Sequence, residues 1–251
     1  MGTTGRVRFS GFAAALAATA VLLTGCGDAD TDSGAGSRAG TSPEPGRTQA
    51  DQADRGGPAA ARLTPEQTVA ALPRADDLVD WSLTSRPTAE DLTKKAAMCT
   101  GVSAWCKGAL QMSSAFFTHR DAGHIEFTVY AYGTSAAATA AYPLVLKDLE
   151  IRELDPKNST EVALPTRVGD AALAKQGTTR LNSPGTLLSA AAGTTVVTVR
   201  TGGLAAMSKT YTPKELAALG TLLADRSRQV QGGGPATLDL PEGALTYEKK
   251  P

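Results

Sequence analysis

Two consecutive β-prone runs decide the fold: MSSAFFTH at Met112–His119 and HIEFTVYAY at His124–Tyr132. The four residues between them, RDAG at 120–123, end in glycine, as hairpin loops of this length often do. Along the second run the apolar residues Ile125, Phe127 and Val129 alternate with Glu126, Thr128 and Tyr130. An alternation with a period of two predicts an antiparallel hairpin with one buried face.

A second hairpin is predicted nearer the carboxyl end, where Thr186–Ala192 and Thr195–Thr201 flank a turn at Gly193-Thr194. Another short strand is expected after the segment Val168-Gly169-Asp170. Most of the sheet is therefore predicted to consist of neighbours joined by tight turns, which makes it antiparallel.

Helices are predicted before, between and after these strands. TPEQ at 64–67 and TPKE at 212–215 each offer an N-cap threonine, a proline at the first helical position and a capping-box partner. An alanine-rich helix is expected from Thr134 to about Leu149, kinked or split at Pro143. The order helix, hairpin, helix, strands, helix predicts an α+β fold, a small α/β sandwich with helices packed on an antiparallel sheet.

The amino-terminal segment reads as an export signal. Arg6 and Arg8 precede an apolar run of about half the length that a membrane-spanning helix needs. The run ends in LTGC at 23–26, which resembles the lipobox of bacterial lipoproteins. That resemblance implies a signal peptide at 1–25 and a diacylglycerol on the thiol of Cys26. It places the protein in the cell membrane as a lipid-anchored, palmitate-bearing chain on the extracytoplasmic face.

The remainder divides into a tether, a domain and a tail. Residues 26–62 hold the lipidated cysteine and a stretch without aromatic residues, Val, Ile, Leu or Met, which predicts a disordered tether. Residues 63–231 are expected to form one extracytoplasmic α+β domain, and residues 232–251, which begin GGGPATLDLPEG, a flexible tail.

Two cysteines remain once Cys26 is lipidated, and an even pair in an exported domain predicts a structural disulfide between Cys99 and Cys106. On one continuous helix they would stand about 10 Å apart, beyond the roughly 7 Å between Cα atoms that a disulfide allows. The chain is therefore expected to turn between them, near Gly101. A redox-active pair would need a C-x-x-C spacing, which is absent here.

Charge argues against some partners. Removing residues 1–25 removes two arginines and no acids, so 25 basic and 25 acidic residues become 23 and 25. A net charge near −2 does not suit a nucleic-acid-binding protein, which needs many contacts from Lys and Arg to phosphate. The predicted partners are the membrane, through the lipid anchor, and a small ligand or a cell-envelope protein.

These features together resemble a diffuse group of actinobacterial lipoproteins and the extracellular sensor-like domains of receptor serine/threonine kinases. Val168-Gly169-Asp170 followed by the hairpin over Leu187–Arg200 is similar to the VGD-then-hairpin pattern of those domains. The chain departs from the pattern in lacking a Gly-Asn beside the second strand and in having one candidate disulfide instead of two. The resemblance implies a sensor or ligand-binding role and brings no catalytic residues.

The catalytic motifs that can be sought in a sequence are missing: G-x-S-x-G, H-E-x-x-H, the phosphate loop and G-x-G-x-x-G. The only two histidines, His119 and His124, flank the hairpin loop and are expected to face each other with Asp121 between them. That set is a weak candidate for binding Zn or Cu. The sequence as a whole predicts neither a bound metal nor a cofactor.

Other polar and aromatic residues receive structural interpretations. The carboxylate pairs Asp76/Asp77 and Glu90/Asp91 are expected at helix starts, and Arg200 and Lys209 on solvated faces. The aromatic residues Trp81, Trp105, Tyr130 and Tyr132 are expected in the core more than in a binding face.

Three functions remain open. The first is a non-enzymatic ligand-binding or sensor-like lipoprotein. The second is a structural or interaction lipoprotein that needs no small ligand. The third is a cell-envelope enzyme that uses His119, Asp121 or His124.

Overall fold

A computed structural model describes residues 61–94, 101–203 and 209–245 of the 251-residue chain. They belong to one compact unit, Arg55–Pro251. The predicted signal peptide at 1–25, the lipidation site Cys26 and nearly all of the predicted tether lie outside the described residues. No helix in the described ranges combines the length and the apolar character needed to cross a membrane.

Within those ranges, eight strands form one antiparallel sheet in the order β1-β3-β4-β8-β7-β6-β5, with β2 also paired to β3. The strands are β1 Ser82–Leu83, β2 Ala89–Asp91, β3 Ala109–His119, β4 Gly123–Tyr132, β5 Thr160–Glu161, β6 Ala171–Thr178, β7 Pro184–Ala192 and β8 Thr195–Gly202. Both predicted hairpins are present, as β3–β4 and β7–β8, and they adjoin in the middle of the sheet.

In the described part of the chain, three α-helices accompany the sheet: α1 Pro65–Ala70, α2 Ser135–Glu153 and α3 Pro213–Gln231. The predicted capping boxes at Thr64 and Thr212 are both formed. Helix α2 begins after its N-cap Thr134 and runs through Pro143 as one helix, so it is not split there. The described ranges also contain the short 3₁₀ helices Ala75–Asp77 and Gly101–Cys106. The predicted α+β class is confirmed.

The sheet is covered on both faces. Side chains such as Phe127, Leu188 and Val197 join α1 and α3 in one core. Tyr130 and Val196 point the opposite way and join α2 in a second core. The prediction that only one face of the β3–β4 hairpin is buried is therefore wrong: Thr128 and Tyr130 are also buried, at 5% exposure each.

The segment Val168-Gly169-Asp170 fastens the start of β6 to the turn between β7 and β8. Gly169 has φ +60°, and the next amide, Asp170 N, donates to Ala191 O at 2.7 Å. The Asp170 carboxylate accepts from Gly193 N at 2.7 Å and pairs with Arg228 of α3 at 2.8 Å. The short motif singled out in the sequence thus has a structural role.

One buried arginine joins three parts of the chain. Arg226 of α3 is fully buried and pairs with the buried Asp77 at 2.8 Å. Its guanidinium also donates to the carbonyls of Ala71, Leu72 and Leu238. Burial lowers the pKa of Arg226, which Asp77 opposes. The pair therefore holds the segment after α1 and the segment after α3 against the same helix.

The stretch after α3 lies against the domain as far as Leu245. Ala236 is buried, and the side chains of Leu240 and Leu245 pack on the core shared with α3. Gln229 also accepts from the backbone N of Thr237 at 3.1 Å. The sequence predicted a flexible tail from residue 232 and gave no sign of these contacts. Residues 246–251 lie outside the described ranges.

Candidate functional site

The two histidines lie on opposite faces of the sheet. In the register of β3 and β4, His119 pairs with Gly123 and His124 pairs with Thr118, so adjacent positions place the two imidazoles on opposite sides. His119 packs on Trp81, with ring centroids 5.3 Å apart, and His124 stacks on Phe116 at 5.0 Å. The expectation that they face each other is wrong.

Asp121 does not bridge them either: its backbone N donates to His119 Nδ1 at 3.1 Å. Among the described residues, no three His, Cys, Asp or Glu side chains are grouped so as to hold a metal ion. The weak metal candidate formed by His119, Asp121 and His124 therefore has no geometric basis.

His124 instead lines a cleft of about 200 Å³ on the face of the sheet that carries α2. The carboxyl end of α2 supplies Arg152 and Glu153, and the turn between β6 and β7 supplies Arg180. Strand β8 supplies Arg200, whose guanidinium pairs with Glu126 of β4 and, at 2.6 Å, with Glu153. Strand ends and a helix end thus bring these charged groups to one place.

Two of the arginines in this cleft are paired with carboxylates, Arg200 with Glu126 and Glu153 and Arg152 with Asp148. Burial disfavours the charged guanidinium of Arg200, but Glu126 and Glu153 outweigh it and raise its pKa. Burial, reinforced by the positive charge of Arg200, lowers the pKa of His124 below its ordinary value. His124 is therefore neutral at physiological pH, able to donate or accept a hydrogen bond.

A second opening, of about 510 Å³, lies beyond the same turn at the end of strands β5 to β7. Its lining combines hydroxyl and amide side chains from several elements: Asn158, Thr160, Gln176, Thr178, Asn182, Ser183, Thr186 and Thr210. We call this opening the polar groove. It can offer several neutral hydrogen-bond donors and acceptors to one ligand.

The aromatic residues are core residues, as expected. Trp105 packs edge-on against Tyr130, with centroids 4.8 Å apart, and its Nε1 donates to the buried Asp148 at 2.8 Å. Tyr132 donates its hydroxyl to Trp105 O at 3.0 Å. The first bond attaches the 3₁₀ helix Gly101–Cys106 to α2 and the second attaches it to β4, and the three rings are buried.

Cys106 is buried and disulfide-bonded, at the end of that 3₁₀ helix. Cys99 lies outside the described residues, so its pairing with Cys106 stays a prediction.

Several polar residues have roles that the sequence did not show. Arg200 and Lys209 were expected on solvated faces, but Arg200 lies between two carboxylates and Lys209 pairs with the buried Glu215. Asp77 was expected only at a helix start, and it also holds the buried Arg226.

Glu90 and Asp91 lie in strand β2, and Asp91 also accepts from Thr93 N at 3.0 Å, where a 3₁₀ turn begins. The groups that line the polar groove carried no signal in the sequence, because isolated threonines and glutamines are common on any strand.

The chain matches no family model and no curated protein. Among solved structures it is similar to the extracellular domain of PknH from Mycobacterium tuberculosis. The two share 10% sequence identity and a TM-score of 0.46, over 69% of this chain and 99% of that chain. A similarity of this size says nothing about what the present chain binds.

Proposed function

We propose that this protein is a lipid-anchored lipoprotein of the extracytoplasmic membrane face whose α+β domain binds a small ligand. The observation that carries the anchor is the LTGC sequence at 23–26 after a short apolar run. Two or more acyl chains on Cys26 would hold the chain firmly, whereas one would not. The long polar stretch that follows would keep the domain clear of the lipid surface.

A binding role is favoured over catalysis by the arrangement of the described residues. The two histidines do not share a site, and Arg200 beside His124 is already paired with Glu126 and Glu153. The polar groove, in contrast, presents neutral side chains from separate elements around one open volume. Small-molecule sites commonly have volumes of roughly 300–1,000 Å³, a range that includes this groove.

The anchor is tested with Cys26→Ala in the full-length chain, expressed in a bacterium that lipidates its own lipoproteins. Cells are fed an alkyne-tagged fatty acid, and label and membrane association are followed together. We expect the wild-type chain to be labelled and membrane-bound, and Cys26→Ala to lose the label. Ser33→Ala, in the predicted tether, is the matched control and should behave like the wild-type chain.

A Cys26→Ala chain that stays labelled, or a wild-type chain without label, would contradict the anchor. Ligand binding is tested separately by comparing the native and denatured masses of the detergent-solubilised chain. An excess mass that disappears on denaturation supports a captured ligand. A chain that carries no excess mass and binds none of the small molecules offered to it favours the structural or interaction lipoprotein.

A further inference from the structure

A row of four polar residues interrupts a largely apolar face of the sheet, and three of the four line the polar groove. Thr160 pairs with Gln176, Gln176 with Thr186, and Thr186 with Thr201, so the row crosses β5, β6, β7 and β8. Two positions further along, the same face carries Ala174, Leu188 and Val199 of the apolar core. The change from apolar to polar is abrupt and involves four neighbouring strands.

The members of this row differ in what they can offer a ligand. Thr186 and Thr201 are buried, and their hydroxyls bond to each other at 2.5 Å. Thr160 and Gln176 are exposed and make no side-chain hydrogen bond within the described part of the chain. Thr186, whose hydroxyl is held by Thr201, therefore forms a fixed part of the lining, and Thr160 and Gln176 keep their donors and acceptors available.

Three further side chains in the groove are also uncommitted. Thr178 follows Gln176 on the same face of β6, Asn182 belongs to the turn before β7, and Thr210 precedes α3. None of the three makes a side-chain hydrogen bond to another described residue. Thr210 comes from a segment far along the chain, so the polar groups surround the volume from different sides.

The chemistry of this lining selects a class of ligand. No described residue that lines the groove carries a formal charge. A carboxylate or a phosphate would therefore lose its hydration without gaining an ion pair. Hydroxyl and amide side chains both donate and accept, which suits a ligand that presents many hydroxyl groups.

A peptide ligand is disfavoured by what surrounds the groove. Recurring peptide sites use an open sheet edge, an apolar helix groove, an aromatic groove or clustered arginines. The edge of β6 beside the groove is already occupied by β5 at Thr160–Glu161, and β5 at the end of the sheet is only two residues long, too short to pair with an extended peptide. The lining has no aromatic residue and no arginine.

We propose that the polar groove binds a neutral carbohydrate of one or two sugar rings, with Gln176, Thr178, Thr160 and Thr210 as its hydrogen-bonding residues. The proposal rests on the ligand-binding function proposed above and names the class of ligand. Each neutral hydrogen bond lost should weaken binding roughly two- to tenfold.

The test uses the full-length chain solubilised in a detergent without a sugar headgroup, since a glycoside detergent would compete for the site. Saturation-transfer NMR is run with glucose, N-acetylglucosamine, maltose and N,N′-diacetylchitobiose. Glucuronate, glucose 6-phosphate and trialanine are the charged and peptide probes. We expect transfer to at least one neutral sugar and none to the charged probes or the peptide.

Two nearly isosteric variants assign the binding to the groove. Gln176→Met and Thr178→Val remove polar groups at similar volume, and each should weaken sugar binding roughly two- to tenfold. Thr166→Val, at an exposed threonine outside the groove, is the matched control and should leave binding unchanged. Thr210→Val, outside the sheet, serves as a further variant if either strand substitution disturbs the near-ultraviolet circular dichroism.

Binding of no neutral sugar, preferential binding of a charged probe or the peptide, or sugar binding that the groove variants leave unchanged would each overturn the proposal. Failure here is distinguishable from failure of the proposed function. A native excess mass of another kind would keep the ligand-binding role and remove only the carbohydrate. Loss of the lipid anchor would leave the sugar result standing.

Discussion

The Gly169→Ala substitution tests the packing of the VGD segment directly. Gly169 has φ +60°, in the left-handed region. A Cβ added there would lie 2.2 Å from Ala191 O, a backbone atom that cannot rotate away. Ordinary contact begins near 3.4 Å, so the start of β6 and the end of β7 would have to separate by more than 1 Å.

The expected loss of stability has two parts. A left-handed conformation costs a residue with a Cβ roughly 1–2 kcal/mol. Forcing an extra methyl into a packed region costs about 1–3 kcal/mol more. The substitution should therefore lower the free energy of unfolding by roughly 2–5 kcal/mol, a large share of the 5–15 kcal/mol typical of a domain. The melting temperature should fall by about 4–20 °C.

The assay is guanidinium-induced unfolding of the chain from residue 26 with Cys26→Ala, followed by the fluorescence of the buried tryptophans. Gly108→Ala is the matched control, because Gly108 has φ +89° and nothing within 4 Å of an added Cβ. It should cost only the conformational part, about 1–2 kcal/mol. If the two substitutions cost the same, the proposed contact with Ala191 O is not what makes Gly169 necessary.

Three further outcomes are expected. Arg226→Met should lower the free energy of unfolding by about 3–5 kcal/mol, because the buried Asp77 would lose its buried counter-charge and keep only the exposed Arg74, at 3.4 Å; adding Asp77→Leu should restore much of it, and no restoration would contradict the pairing. Ser227→Ala should leave stability unchanged or raise it by about 1 kcal/mol, since the buried Ser227 Oγ has no hydrogen-bond partner among the described residues; a clear loss would show that it has one. The pKa of His124, followed by NMR, should lie below its ordinary value of 6.5. The unfolded chain then takes up that proton first, so stability should fall as pH drops below 6.5 towards the lowered pKa; His124→Gln should flatten this dependence, and titration at or above 6.5 would contradict it.

Much of the fold was predictable because its signals are local. The alternation in Ile125–Val129 and the turn residues beside it define a hairpin within about twenty residues of sequence. The capping boxes at Thr64 and Thr212 are likewise four-residue patterns. Strands β1, β2 and β5 were not predicted, since two or three residues are too few to show a period.

The contacts that decide the site are not local, and the sequence could not show them. Arg226 and Asp77 are 149 positions apart. The histidine expectation failed over a single residue of register, because a shift of one position moves a side chain to the other face. The second buried face was missed since Thr128 and Tyr130 suit a solvated strand as well as one covered by α2.

The row of polar residues at the polar groove could not be predicted from the sequence for the same reason. Gln176 and Thr186 become neighbours only through the register of β6 and β7, and Thr210 joins them only through the path of the chain before α3. Candidate binding residues of this kind are recognised by their convergence and not by any motif.

Arg226 also determines how the domain would respond to a pulling force. Its bonds to the carbonyls of Ala71 and Leu72 attach the amino-terminal segment to α3, and Thr194 holds Ala61 O at the central β7–β8 hairpin. Tension applied through residues preceding Ala61 would therefore load several bonds together near the middle of the fold. A domain tethered by its amino-terminal side would have to break the Arg226 and Thr194 bonds together before it unfolded. The strands at the sheet's edges would not be peeled off first.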